Sequence, residues 1–155
     1  MIKPCLPANE AKRLKALKEL KIIDTVPEKE FDDISELASY VSNSPIALIT
    51  FIEEERQWFK SRIGIDMCES SRDLSFCGHA ILKPQEITII ENARLDERFK
   101  GNPLTESKDA PIIFYAGVPL TDKYGNALGT LCIIDHEPKK LNEHQIKALK
   151  TLAQQ

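Results

Sequence analysis

The sequence has 155 residues, 42% of them apolar and 29% charged, with a formal net charge of −3. That length fits one domain that can bury a core without staples, and the weak acidity leaves no electrostatic footprint for nucleic acid. Met1–Glu10 carries no apolar run of signal-peptide length, and no stretch approaches the roughly 18 apolar residues of a membrane span. The expectation is a cytoplasmic chain without a membrane anchor, whose thiols at Cys5, Cys68, Cys77 and Cys132 are reduced.

Leu14, Leu17 and Leu20 recur every three residues after Asn9, a cap residue, and predict a first helix. Its Lys12, Arg13, Lys15, Lys18 and Lys21 read as the wet side of that helix. Thr25 and Glu28 have capping-box spacing, with Pro27 tolerated in the first turn, so a second helix is expected to open at Thr25. Phe31, Ile34, Leu37, Ala38 and Val41 give it one apolar face, and Asn43-Ser-Pro45 ends it.

The middle of the chain reads as sheet. Ile46–Ile52 is almost wholly apolar, which suits a central strand buried on both faces. Glu53–Glu55 make a turn, and Arg56–Ile63 returns as a partly covered strand. Asp73 or Ser75 caps a short helix over Phe76–Leu82, stopped by Pro84, and Ile87–Ile90 is a short strand. Glu91–Ala110 has little regular pattern beyond a turn of helix near Asp96–Lys100, with Asn102-Pro103 as a further break. Long irregular loops in compact domains are often functional. Ile112–Leu120 and Ala127–Asp135 form a hairpin about Gly125, and Asn142 introduces a last helix striped by Ile146, Leu149, Leu152 and Ala153. One mostly antiparallel sheet with helices on its faces accounts for the order, an α+β sandwich.

Several strings, in this order, resemble the GAF domain family. They are Leu20-Lys-Ile-Ile-Asp-Thr-Val-Pro-Glu28 with Phe31-Asp32, Glu55-Arg-Gln-Trp-Phe-Lys-Ser61 and Ser75-Phe-Cys-Gly-His-Ala-Ile81. Glu91-Asn-Ala93 with Asp96, Arg98, Phe99 and Asn102-Pro-Leu104 follows, then Tyr115-Ala-Gly-Val-Pro-Leu120 and Leu128-Gly-Thr-Leu-Cys-Ile-Ile-Asp135. The resemblance covers residues 10–155. It implies a GAF-like, five- or six-stranded antiparallel sheet with terminal helices on one face. The other face, under the short helix and loops, would hold a ligand pocket where one exists. It further implies a bacterial sensory module, not an enzyme by itself. Such a module forms a homodimer through its terminal helices and signals through the last helix to an output domain, a histidine kinase or diguanylate cyclase for instance, in the same chain or a partner. Residues 1–155 are expected to be a single domain, the sensory fragment of a longer signalling protein.

The candidate ligand-binding residues are Ser75, Phe76, Cys77, His79, Asp96, Arg98, Phe99, Tyr115, Thr130 and Cys132. Ser75 and Phe76 stand at a helix N-terminus, where free N–H groups favour an anionic group. Asp96, Arg98 and Phe99 belong to the roofing loop. Tyr115 and either Thr130 or Cys132 could point in from the sheet, the register being open. The alternative is that these side chains fill a closed core and that the domain works by dimerisation. No catalytic residue, metal or required cofactor is assigned. Cys77 and His79, two apart, point to different sides of a helix and would not share a metal there. Cys77-Gly78 with Cys68 resembles part of the GAF enzymes that reduce free methionine sulfoxide. The cysteine those enzymes carry in the loop is missing here, and a resolving thiol without its nucleophile does not turn over. Cys77-Gly78-His79 lacks the Cys-His pair of bilin-attaching relatives, haem through His79 is equally thin, and the cyclic-nucleotide motif of other GAF domains is absent.

Overall fold

The computed structural model describes residues 1–155. Ile46–Ile52 (β1) is buried at every position, as its unbroken apolar run requires. It pairs antiparallel with Arg56–Ile63 (β2) on one side and Ala127–Asp135 (β6) on the other. Glu69–Ser71 (β3) continues the sheet beyond β2. Phe114–Thr121 (β5) and Thr88–Ile90 (β4) continue it beyond β6, in the order β3-β2-β1-β6-β5-β4. The pairings are all antiparallel. β3 escapes sequence reading because its three residues, Glu-Ser-Ser, carry no apolar alternation.

Strand alternation divides the core in two. Ala47, Ile49, Phe51, Phe114, Ala116, Leu131 and Ile133 meet Leu17 of Glu10–Leu20 (α1), Ala38 of Lys29–Ser42 (α2) and Leu149 of Glu143–Ala153 (α5). Leu48, Ile52, Tyr115, Cys132 and Ile134 face the other way, against Phe76–Ala80 (α3) and the 90–104 loop. That loop holds a short turn at Ala93–Leu95 and one helical turn at Pro103–Glu106 (α4). The expected α+β sandwich is thus the observed architecture, with five helices and six strands.

Several local expectations are corrected. The second helix opens at Lys29, not Thr25, and its cap residue Glu28 makes no side-chain cap bond. The cause is Lys60 of β2, whose side chain is fully buried. Its ammonium needs acceptors, and it takes Thr25 Oγ1, the Val26 carbonyl and the Glu28 carboxylate, so residues 25–28 stay outside the helix. Asn9 occupies the cap position of α1, but its amide bonds Asn126 across the fold. Arg13 is not on a wet helix face. It is wholly buried, donating to the Ile52 carbonyl and paired with Glu10. Leu20 and Leu37, expected in apolar stripes, are about half exposed at 51% and 50%. Asn102 does not break a helix but starts one, its side chain capping α4 with Pro103 in the first turn. The last helix keeps its expected start, with a full Asn142–Gln145 capping box.

Candidate functional site

α3 is placed by its own cap. Ser75 Oγ accepts from the Gly78 amide at 3.0 Å and donates to the Arg72 carbonyl at 2.8 Å, so the hydroxyl is committed to the backbone. Asn102 ties this segment to the loop by donating to the Leu74 carbonyl. The helix ends at Ala80, two residues before the expected Leu82. Its side chains divide as the 100° spacing demands. Cys77 points into the sheet, while the His79 Nε2 N–H donates outward to the Ile2 carbonyl at 2.9 Å. The two do not converge.

Beneath α3, polar atoms meet inside an apolar layer. Cys77 Sγ accepts from Tyr115 Oη at 3.1 Å and from Thr130 Oγ1 at 3.0 Å, and lies 3.8 Å from Cys132 Sγ. Thr130 Oγ1 is in turn 3.1 Å from Thr50 Oγ1. All five side chains are buried. Tyr115, Thr130 and Cys132 therefore share one face of β5 and β6, which settles the register left open by the sequence. Phe76 stacks on Phe99 with centroids 3.9 Å apart, and the Tyr115 ring is 5.4 Å from Phe76. Sequence reading misses Thr50. The available signal is its place as the single hydroxyl residue in the otherwise apolar β1.

Two glycines make these contacts possible. A Cβ at Gly117 would stand 2.2 Å from Tyr115 Oη, so the tyrosine lies flat across a position where only glycine fits. A Cβ at Gly78 would stand 2.8 Å from Pro4 Cγ, because the N-terminal segment crosses over α3. That segment is also held by Ile2 N–H to the Arg98 carbonyl and by an exposed Lys3–Asp73 pair.

The rim carries the remaining candidates. Arg98 donates from Nε and Nη2 to the Asp96 carboxylate at 3.1 and 2.9 Å, which holds that carboxyl below its ordinary range. Neither charge points into the cluster; they neutralise each other at its edge. Burial, more than the opposing bond to Ile2, keeps His79 below the usual histidine range. Within the cluster, burial pushes Cys77 up. Hydrogen bonds from Cys132, Thr130 and Tyr115 outweigh it and bring the thiol down to about 7. The Cys77 contact and burial drive Cys132 well above its ordinary value. Burial likewise raises Tyr115. Cys68, by contrast, is exposed and sits against Arg62. No cluster of three or more His, Cys, Asp or Glu side chains could hold a metal ion.

The comparisons with known proteins agree with this fold. The family model for the GAF domain matches residues 26–155. The chain belongs to the GAF domain family. This GAF domain is 36% identical, over 99% of its length, to a cyclic di-GMP phosphodiesterase of Pseudomonas aeruginosa, and it spans only 26% of that relative. Among solved structures it is similar to the GAF domain of an Acinetobacter phosphoenolpyruvate-protein phosphotransferase. The TM-score is 0.66 at 19% identity, with 94% of this chain and 89% of that one covered. It also resembles a type II free methionine-R-sulfoxide reductase from Thermoplasma acidophilum. There the TM-score is 0.60 at 14% identity, covering 88% and 89%. At such identities the structures share the fold alone. No helix of this GAF domain is long and apolar enough to cross a membrane.

Proposed function

We propose that this GAF domain is the sensory module of a larger signalling protein. A small molecule enters beneath α3 by displacing its packed roof, and the change passes through α5 to an output domain. The observation that carries the reading is the double use of β5 and β6. Tyr115, Thr130 and Cys132 meet under α3, while their strand neighbours Phe114, Ala116, Leu131 and Ile133 pack on the helical side with Leu149. Polar groups converging within an apolar lining are the usual chemistry of a small-molecule site. Phe76 and Phe99 fill that lining here, so binding selects an opened form and shifts the population of α5 arrangements. The Pseudomonas relative makes a cyclic di-GMP phosphodiesterase the proposed class of output, supplied by residues outside this chain.

Native mass spectrometry of the protein as purified, before and after denaturation, tests this. A retained small molecule whose loss accompanies Tyr115→Phe supports the site. A protein that leaves with no added mass, and takes none up from a small-molecule extract of its host, contradicts it.

The closed packing also favours a second reading, a dimerisation module that senses nothing. An apolar cleft of about 280 Å³ on the helical side, lined by Leu20, Phe31, Ile34, Leu120 and Leu152 among others, would be covered by a second copy. In that case the same spectra show dimer without ligand, and Leu20→Glu with Leu152→Glu gives monomer.

A further inference from the structure

The two buried sulfurs, one on α3 and one in the middle of β6, lie 3.8 Å apart. We propose that Cys77 and Cys132 form a peroxide-reactive dithiol, in which Cys77 is the nucleophile and Cys132 resolves it to an intramolecular disulfide. This does not rest on the ligand reading, since the chemistry needs only the two thiols and a hydroperoxide.

The hydroxyls decide which sulfur attacks. Tyr115 and Thr130 both donate to Cys77 Sγ. If Thr130 gives its proton to sulfur, Thr50 donates to Thr130 Oγ1, and a chain of O–H groups points at Cys77. Two donors on one sulfur suit a thiolate acceptor rather than a neutral thiol. The titratable groups facing Cys77 are Tyr115 on β5 and Cys132 on β6, while β1 presents Leu48, Thr50 and Ile52. His79, on the same helix, is turned to Ile2. The Cys77 thiol accordingly sits at about 7, and Cys132 stays protonated.

The Cys77 thiolate attacks one oxygen of the hydroperoxide. The S–O bond forms, the O–O bond breaks, and the departing alkoxide (hydroxide from hydrogen peroxide) takes up a proton. Cys132 then attacks the Cys77 sulfur. The S–S bond forms, the S–O bond breaks, and hydroxide leaves with the Cys132 proton as water. Two thiols lose two electrons, and one hydroperoxide becomes an alcohol, or water, plus water. An S–S bond of about 2.05 Å requires the sulfurs to close by roughly 1.8 Å. Rotation of the two side chains, or settling of α3 toward β6, the strand whose opposite face meets α5, closes that gap. Both sulfurs are buried, and Pro4 of the N-terminal segment lies over Gly78, next to Cys77.

The test uses the full chain with the exposed thiols removed, Cys5→Ser with Cys68→Ser. The protein is treated with hydrogen peroxide, quenched by alkylation in denaturant, and read by intact mass and peptide mapping. The expected result is the loss of two hydrogen atoms, a peptide linking Cys77 to Cys132, and recovery by dithiothreitol. Adding Cys132→Ser stalls the reaction at a Cys77 sulfenic acid captured by dimedone. Adding Cys77→Ser slows oxidation of Cys132 by more than about tenfold. Cys132 is the thiol that its contact with Cys77 and burial keep protonated, and the protonated thiol is the poorer nucleophile. Full alkylation of both thiols, at peroxide doses that oxidise Cys68 in the unsubstituted protein, overturns the proposal. So does Cys77 sulfinic acid with Cys132 untouched. The linked peptide is also sought in the unsubstituted chain, where no cysteine substitution can disturb folding, and its absence there overturns the proposal as well. An empty native spectrum bears on the ligand alone.

Discussion

Glu10 holds two buried arginines at once. Its carboxylate accepts from Arg13 and from Arg72, whose side chains are 0% and 5% exposed, and Arg72 also reaches the Glu53 carbonyl. Replacing Glu10 by Gln leaves both guanidinium groups without a counter-charge, and we expect a loss of about 3 kcal/mol in urea unfolding. Burial raises the Glu10 carboxyl, but the bonds from Arg72 and Arg13 win and hold it below the ordinary range. Its folded value thus lies below its unfolded one, near ~4.3. The stability it contributes is present above the unfolded value and lost as pH falls through the folded one. The urea midpoint of the wild type should drop below about pH 4, and that of Glu10→Gln should drop less steeply. A second residue-scale expectation concerns Gly117→Ala. The new methyl displaces the Tyr115 ring, Cys77 loses a donor, and the midpoint of Cys77 alkylation against pH moves above about 7. An unmoved midpoint would mean that Tyr115 does not tune the thiol.

Elements are legible in the sequence in proportion to how locally they are determined. β1 and β6 are apolar runs of strand length, and both fall where periodicity puts them. α5 begins with a capping box that its own residues complete. The start of α2 is not legible because the deciding group is Lys60, a charge on β2 more than thirty residues away that recruits Thr25 and Glu28. The closeness of Cys77 to Cys132 spans 55 positions and depends on how α3 lands on the sheet, so no local spacing encodes it. The N-terminal segment is equally silent, since Pro4 on Gly78 is a contact of shape alone. Its role can be measured. Removing residues 1–4 frees His79 and uncovers α3, so the α3 amides should exchange hydrogen faster while those of β1 and β6 keep their protection. At the other layer, Leu149→Ala removes the fully buried contact of α5 with the sheet and should cost about 3 kcal/mol. A cost under roughly 1 kcal/mol would mean that α5 docks by other contacts.

At the scale of the whole molecule, one sheet separates two half-cores and joins them. The cluster under α3 and the seat of α5 occupy alternate residues of β5 and β6, so neither can repack without pressing on the strands that carry the other. Under the proposed function, this shared framework is what couples the two faces. It also explains how a ligand or a disulfide at α3 would reach the last helix. The most direct measurement is hydrogen–deuterium exchange on Tyr115→Phe, which removes one hydroxyl from the cluster and changes nothing on the helical face. Faster exchange is expected in α3 and also in α5, with α1 unchanged. A change confined to α3, with α5 exchanging as in the wild type, would contradict this coupling.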